Sequence, residues 1–208
     1  WGGGTPTLLT PDLMRDLADT IFDAVPMGQG GEFSVEIDPN EVDEARLDAL
    51  ASAGMNRASI GVQDFDPEIQ KVIGREQSYE LTKRVADMIR TRGVSSLNAD
   101  ILYGLPHQTQ TRIADSVQKL LTLSPDRVAL YGYAHVPWMS RRQQMIPSDA
   151  MPTPEERLRL FETARKSRLT PLGEVIQAEA RAALAAHDQS LAAIKGYAQA
   201  QTGHLRVA

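Results

Sequence analysis

The stretch from Leu97 to Pro106 reads LNADILYGLP and decides the fold class of the chain. It joins a short β-prone run, Leu97–Tyr103, to a Gly-Leu-Pro turn signal. Three further runs of this kind are Phe33–Ile37, Ala58–Val62 and Arg127–Val136. Segments with helical periodicity separate the runs, so the pattern predicts an α/β fold with a parallel sheet.

The predicted helices alternate with these strands and cover Pro11–Val25, Val42–Ala53, Tyr79–Thr91, Thr109–Leu123 and Thr153–Ser167. Thr10 precedes a proline and predicts an N-cap, while Gly54 and Gly93 predict helix ends. Because the strand runs are largely apolar, we expect the sheet to be buried on both faces. An open sheet and a closed or partial barrel both fit the pattern, and in each of them ligands bind at the carboxyl ends of the strands.

Composition excludes several classes of function. The 208 residues carry a formal net charge of −5, and the sequence pI of about 5.4 argues against a general nucleic-acid binder. No apolar run reaches the length of about 18 residues that a membrane-spanning helix needs. The absence of cysteine excludes disulfides, thiolate zinc sites, iron–sulfur ligation by this chain and a cysteine nucleophile.

The composition changes after about residue 166. Residues 167–208 are rich in alanine and contain no β-prone run, with helical patterns over Glu174–Ala186 and Ser190–Gln201. We therefore expect two parts, an α/β part over residues 1–166 and an Ala-rich helical tail over residues 167–208.

Polar residues inside or just after the apolar runs are candidates for ligand contact. N-capping of the following helices accounts for Asp38 and Asp64, but it fits Glu36, Gln63 and Asp100 poorly because strand residues flank them. We expect those three to contact a ligand.

Four further features have more than one interpretation each. The loop Gly2–Thr7 is either a close-approach loop for a ligand or an ordinary turn. Arg75 is a carboxylate-binding or a solvated arginine. His135 is an acid, a ligand or a core histidine, and with no neighbouring histidine or cysteine it predicts no metal site. Tyr103, Tyr131 and Tyr133 lie near strand ends and are more typical of core or pocket wall than of catalysis. The residues by themselves identify no reaction.

Five motifs in order resemble a known family. They are GGGTPT at Gly2–Thr7, EIDP at Glu36–Pro39, NRASIGVQDF at Asn56–Phe65, DILYGLP at Asp100–Pro106 and YAHVPW at Tyr133–Trp138. Over residues 1–166 the chain resembles the oxygen-independent coproporphyrinogen III oxidases (dehydrogenases) of the radical S-adenosylmethionine superfamily.

The resemblance implies a partial (β/α)6 TIM-like radical SAM barrel, truncated at both ends, in which the strand ends face a cofactor cavity. It implies a [4Fe–4S] cluster and two S-adenosylmethionine molecules. The cluster reductively cleaves S-adenosylmethionine, and the 5′-deoxyadenosyl radical takes hydrogen from a substrate propionate. Loss of carbon dioxide from two propionates then converts coproporphyrinogen III to protoporphyrinogen IX in anaerobic haem biosynthesis.

The resemblance also implies the site residues. Gly3 and Glu36 correspond to contacts of the first S-adenosylmethionine. The second is contacted by residues corresponding to Gly4, Thr5, Gln63, Arg75, Asp100 and Ala134. Chemically, an arginine suits the methionine carboxylate, and carboxylate or amide acceptors suit ribose hydroxyls. No catalytic residue is assigned.

The sequence departs from the family pattern at two places. The family's Cys-x3-Cys-x2-Cys loop, which lies before the glycine loop, is absent, and Leu172–Ala178 stands where the family continues with a glycine-tyrosine turn and a strand. We therefore expect this chain to be a fragment that is inactive by itself. For the whole enzyme we expect a cytoplasmic monomer that binds neither nucleic acid nor membrane, and the electron donor is not assigned.

Three alternatives compete with this interpretation. A haem chaperone of the same superfamily shares the glycine loop, but such proteins usually have serine at the position of Asp64 and lack the Tyr133–Trp138 run. A non-catalytic remnant fits the absence of cysteine. An unrelated open-sheet nucleotide enzyme fits poorly, because no phosphate-loop spacing is present.

Overall fold

A four-stranded parallel sheet organises the structure. The structure is a computed structural model that describes residues 1–2, 4–139 and 141–167. Its strands lie in chain order, β1 (Ser34–Ile37), β2 (Arg57–Gln63), β3 (Ser96–Tyr103) and β4 (Arg127–Gly132). The predicted contact Gly3 lies outside the described residues, as does the predicted tail apart from Ser167.

Seven helices are described around the sheet. They are α1 (Pro11–Ala24), α2 (Glu44–Ser52), α3 (Pro67–Val72), α4 (Tyr79–Thr91), α5 (Gln110–Thr122), α6 (Arg141–Gln144) and α7 (Pro154–Lys166). Short 3-10 turns occupy Pro6–Leu8 and Ser148–Ala150. No helix among the described residues is both long and apolar enough to cross a lipid bilayer.

Strands β1, β2 and β3 alternate between a buried apolar face and a polar face, so the expectation that both faces are buried is wrong. In β2 the buried residues are Ala58, Ile60 and Val62, and every residue between them is partly exposed. In β1 the alternation is the same, since Val35 and Ile37 are buried on either side of the exposed Glu36. Side chains of successive strand residues point to opposite faces, so this pattern covers one face with helices and leaves the other polar.

A single hydrophobic core joins the apolar face of the sheet to the helices. Its fully buried large side chains include Leu47, Leu50, Ile60, Ile89, Leu97, Ile101, Ile113, Leu120 and Leu160. Burial of each such side chain stabilises the fold by about 1.5–3 kcal/mol. The core therefore fixes the strands on their helix-facing side and leaves the polar face free for function.

Helix starts and ends follow capping chemistry. The Thr10 hydroxyl accepts a hydrogen bond from the Leu13 amide, which confirms the predicted N-cap of α1. Gly54 and Gly93 follow α2 and α4 with φ of 93° and 78°, as predicted for helix ends. The Tyr79–Thr91 helix has the predicted bounds.

The predicted N-caps Asp38 and Asp64 are wrong. Helix α2 begins six residues after Asp38 and is capped by Asp43, while α3 is capped by Asp66. The carboxylates of Asp38 and Asp64 instead bind groups other than a helix N-terminus. The fourth strand is also shorter than predicted, because β3 ends at Tyr103 and the Tyr133 amide makes the last bond to it.

Candidate functional site

Three of the predicted contact residues share the polar face of the sheet. Glu36 in β1 and Asp100 in β3 flank β2, where Ser59 pairs with Glu36 and Gly61 pairs with Asp100. Gln63 ends β2 beside them. The parallel strands thus bring two carboxyl groups and one amide to one open surface, as the sequence predicted.

Asp100 is the most perturbed carboxyl group on this surface. Burial and the nearby charge of Glu36 raise the pKa of Asp100 from 3.8 to about 6, although Arg57 acts in the opposite direction. Burial, Asp100 and Glu36 also raise the pKa of Tyr131 in β4. Burial removes water from this carboxyl group, and hydroxyl groups of a ligand would replace the hydrogen bonds that the water made.

Arg75 lies across the end of β2. Its Nη2 atom donates to the Gly61 carbonyl at 3.2 Å and pairs with Asp38 Oδ2, also at 3.2 Å. Its buried Nε atom has no hydrogen-bond partner among the described residues. Buried donors are nearly always paired in proteins, so Nε is suited to an anionic ligand group.

Gln63 adopts an unusual backbone conformation. Its φ is 68°, and the pairing of β2 with β3 shifts register between Gly61 and Gln63. A left-handed conformation at a non-glycine residue costs about 1–3 kcal/mol and clusters at functional sites. A Cβ atom on Gly61 would lie 2.9 Å from Gln63 Nε2 and 3.3 Å from Arg75 Nη2, so both side chains pack over this glycine.

The glycine loop lies against the same surface. The Trp1 carbonyl accepts a hydrogen bond from the Glu36 amide at 2.9 Å, and the Trp1 amino group donates to the Ser34 carbonyl. A Cβ atom on Gly2 would lie 2.8 Å from Glu36 Oε1, so the absence of a side chain there lets the loop approach this carboxylate. Gly4 is exposed in the same loop.

A cavity of about 570 Å³ opens between this loop and the strand ends. Its lining includes Thr5, Asp38, Arg75, Leu105 and Tyr133. Glu36, Gln63, Asp100 and Ala134 do not line it. The structure therefore brings Thr5 and Arg75 to the cavity and places Glu36, Gln63 and Asp100 on the adjoining polar face.

Ala134 and His135 follow β4. Ala134 is exposed and its carbonyl accepts a hydrogen bond from Gln143 Nε2 at 3.1 Å. His135 Nε2 lies 2.9 Å from the Ser148 hydroxyl, and its buried Nδ1 has no partner in the described part of the chain. His135 is therefore a histidine with only one of its two ring nitrogens paired among the described residues.

Asp64 is a functional-site neighbour whose role the sequence did not reveal. It is fully buried and accepts hydrogen bonds from the Ser116 hydroxyl at 2.6 Å, Gln108 Nε2 at 2.7 Å and the Asp66 amide at 2.8 Å. Burial raises the pKa of Asp64, while these hydrogen bonds act to lower it. The Gln108 side chain in turn accepts from the Gly104 amide, so Asp64 connects the ends of β2 and β3.

A second cavity lies apart from the site. This larger cavity of about 950 Å³ lies beside α5 and α7, near His107, Arg112 and Arg159, and contains none of the predicted contacts. Its arginine at position 112 is already paired with Asp66 and Glu68. Within the described ranges, no group of three His, Asp or Glu side chains could hold a metal ion.

The chain is similar to proteins of known family. A family model for the Radical SAM superfamily matches residues 1–120. The chain is 75% identical over 166 residues to the oxygen-independent coproporphyrinogen III oxidase of Paracoccus denitrificans, an alignment that covers 80% of this chain and 37% of that protein. A protein of the same name from Cereibacter sphaeroides is 68% identical over 165 residues, which is 79% of this chain and 37% of that one.

A solved structure has the same fold. The coproporphyrinogen III oxidase from Escherichia coli, described as a Radical SAM enzyme, matches with a TM-score of 0.74 and 36% identity over 78% of this chain and 37% of that chain. The chain thus spans 37% of the length of each of these three proteins. These matches confirm the predicted fold class and the resemblance drawn from the motifs.

Proposed function

We propose that this chain, which belongs to the Radical SAM superfamily, is the S-adenosylmethionine-binding part of an oxygen-independent coproporphyrinogen III oxidase. The observation that carries the proposal is the 75% identity over 166 residues to a protein of that name. The whole enzyme would convert two propionates of coproporphyrinogen III to vinyl groups with loss of carbon dioxide. We place it in the cytoplasm and leave its electron donor unassigned.

The residues at the strand ends fit S-adenosylmethionine, which together with a [4Fe–4S] cluster is the cofactor of this superfamily. The unpaired Nε of Arg75 suits the methionine carboxylate. Glu36, Gln63 and Asp100 offer oxygen acceptors for amino or ribose hydroxyl groups. When bound, S-adenosylmethionine supplies the radical chemistry that removes a substrate hydrogen.

We propose that these residues bind two S-adenosylmethionine molecules. We assign Gly3 and Glu36 to the first and Gly4, Thr5, Gln63, Arg75, Asp100 and Ala134 to the second. The close approach of Gly2 to Glu36 supports a loop that adjoins the first molecule. The packing of Gln63 and Arg75 over Gly61 supports a shared role for these two side chains.

The [4Fe–4S] cluster does not fit the donor set of this chain. The resemblance implies three cysteine ligands, and the 208 residues contain no cysteine. We therefore propose that this chain binds S-adenosylmethionine and does not by itself turn over coproporphyrinogen III.

Titration calorimetry with S-adenosylmethionine tests the binding function. We expect micromolar binding by the 208-residue chain, weakened about tenfold or more in Arg75→Ala, because a hydrogen bond to a charged group contributes about 1.5–3 kcal/mol. Arg84→Ala on the exposed face of α4 is the matched control and should bind as the unsubstituted chain does. No binding by the unsubstituted chain, or equal weakening by both substitutions, would overturn the proposal.

Two further assays separate the alternatives. Incubation of the purified chain with iron, sulfide, reductant, S-adenosylmethionine and coproporphyrinogen III should give no protoporphyrinogen IX, and product formation would contradict the predicted inactivity. Stoichiometric haem binding without S-adenosylmethionine binding would favour a haem chaperone.

A further inference from the structure

Tyr133 presents a hydroxyl group that the fold does not use. The residue lies just after β4, and its OH atom is buried without a hydrogen-bond partner in the described ranges. Burial raises the pKa of Tyr133, so the phenol keeps its proton and remains a donor. Removing a buried hydroxyl from water without a partner is unfavourable, and native proteins rarely retain such groups unless a ligand or ordered water pairs with them.

The backbone around Tyr133 is held in place. Its amide donates to the Tyr103 carbonyl at 2.8 Å, and its carbonyl accepts from Arg157 Nη1, also at 2.8 Å. Arg157 lies over the Tyr103 ring, 5.8 Å from its centroid. The main chain at position 133 is therefore held by two hydrogen bonds at the end of β4.

Tyr133 lines the same cavity as Arg75, whose buried Nε also lacks a hydrogen-bond partner among the described residues. Asp38, Glu41 and Glu76 also line this cavity, so it combines two unused donors with acidic side chains. Free donors suit a carboxylate, and acidic groups suit an ammonium. The lining therefore fits the zwitterionic end of an α-amino acid better than a propionate, which has no ammonium group.

We propose that the Tyr133 hydroxyl, together with Arg75 Nε, binds the carboxylate of the methionine end of an S-adenosylmethionine molecule in this cavity. The proposal rests on the proposed function and adds to it a ligand contact by Tyr133, for which the sequence indicated only a core or pocket-wall position. Tyr133 thereby acts as a ligand contact rather than as a structural tyrosine.

Tyr133→Phe in the 208-residue chain tests the proposal, with three probes titrated in turn. S-Adenosylmethionine carries the carboxylate, 5′-methylthioadenosine keeps the nucleoside but lacks the amino-acid end, and coproporphyrin III carries propionates. We expect Tyr133→Phe to weaken S-adenosylmethionine binding about tenfold or more and to leave 5′-methylthioadenosine binding unchanged. Tyr103→Phe, which removes a phenol from a neighbouring strand end, should change neither.

Thermal unfolding of the ligand-free protein gives a second readout. If the hydroxyl awaits a ligand, Tyr133→Phe leaves the unfolding temperature unchanged or raises it, because an unpaired buried group is removed. A structural hydroxyl would instead give a lower unfolding temperature, which would overturn the proposal.

The remaining outcomes are also decisive. Unchanged S-adenosylmethionine binding in Tyr133→Phe overturns this inference alone and leaves the proposed function in place. Equal weakening of both nucleosides, or weakening of coproporphyrin III binding only, overturns the assignment to the methionine carboxylate. No binding of S-adenosylmethionine by the unsubstituted chain overturns the proposed function and this inference together.

Discussion

The surroundings of Asp100 disfavour the charged form of its carboxyl group. Its carboxyl group is partly buried on the polar face and is repelled by Glu36, and loss of water through burial is the larger of these two effects. The ionised form is therefore disfavoured in the folded protein relative to the unfolded chain. Such a group destabilises the fold near neutral pH, and a ligand that donates hydrogen bonds to it would stabilise its charged form.

Asp100 makes stability depend on pH in a predictable direction. Because its pKa is raised from 3.8 to about 6, the folded state binds more protons than the unfolded state between these values. The free energy of unfolding should therefore fall as the pH rises through this window, owing to this group. In Asp100→Asn that contribution is absent, so the variant should gain stability relative to the unsubstituted chain as the pH rises.

Urea unfolding at pH values on both sides of this window measures the effect. Asp115→Asn is the matched control, because Asp115 is exposed on α5. The difference between Asp100→Asn and the unsubstituted chain should grow with pH, and the difference for Asp115→Asn should stay constant. A constant difference for both variants would contradict the burial of Asp100.

The location of a polar side chain was predictable from the sequence where its position along a strand determined which face of the sheet it occupies. The position of Glu36 and Asp100 on the polar face was predictable, because a carboxyl group within an apolar strand must avoid the core. The ion pair of Asp38 with Arg75 was not, since it joins residues from separate loops. Its geometry depends on how the loops fold over the sheet, which no spacing in the sequence reports.

At the scale of elements, Asp64 connects parts of the chain that are distant in sequence. It accepts hydrogen bonds from Ser116 on α5 and from Gln108 before α5, and its backbone carbonyl accepts from Gln70 on α3. All of these partners are donors. The network thus fixes the end of β2, and with it Gln63, relative to the end of β3.

Asp64→Asn should weaken this connection. The amide places an N–H group opposite donors, so one or more buried donors lose their acceptor, at a cost of about 1–3 kcal/mol. Urea unfolding measures the loss. Asp87→Asn is the control, because Asp87 is exposed in a helical pair with Lys83, and such pairs contribute about 0.3–0.5 kcal/mol. Equal effects of the two substitutions would show that the network does not stabilise the strand ends.

Element positions were largely predictable, but the burial of the sheet was not. The helices followed caps and periodicity closely. The alternation in β2 is nevertheless visible in the sequence, where Ser59, Gly61 and Gln63 interrupt the apolar residues. Helix α3 also has a signal, because Asp66-Pro67 is an N-cap followed by proline at the first helical position. Both features are short, and short patterns are the least distinctive in sequence.

At the scale of the whole molecule, α1 carries an apolar stripe on its outer surface. Leu13, Leu17 and Ile21 are 52%, 41% and 37% exposed, and they follow one another at intervals of four residues. Val25 extends the stripe with 69% exposure. Residues at this spacing lie on one helix face, and contiguous exposed apolar patches promote association.

The 208-residue chain should therefore self-associate as its concentration rises. Leu13→Gln combined with Leu17→Gln should reduce the association, whereas Leu158→Gln should not, because Leu158 is a single exposed leucine on α7. Sedimentation velocity over a range of concentrations measures the change. A monomer at all concentrations, or equal effects of the two substitutions, would contradict a role for the stripe.

The alternation along the strands has an evolutionary consequence. In β3, close packing in the core constrains the identities of Leu97, Ala99 and Ile101. The identities of Asn98 and Asp100, which lie between them on the open face, are constrained by ligand binding instead. Two independent sets of constraints therefore act on alternate positions of the same strand. Mutations that retune ligand preference can accumulate in the polar set while the apolar set continues to specify the fold.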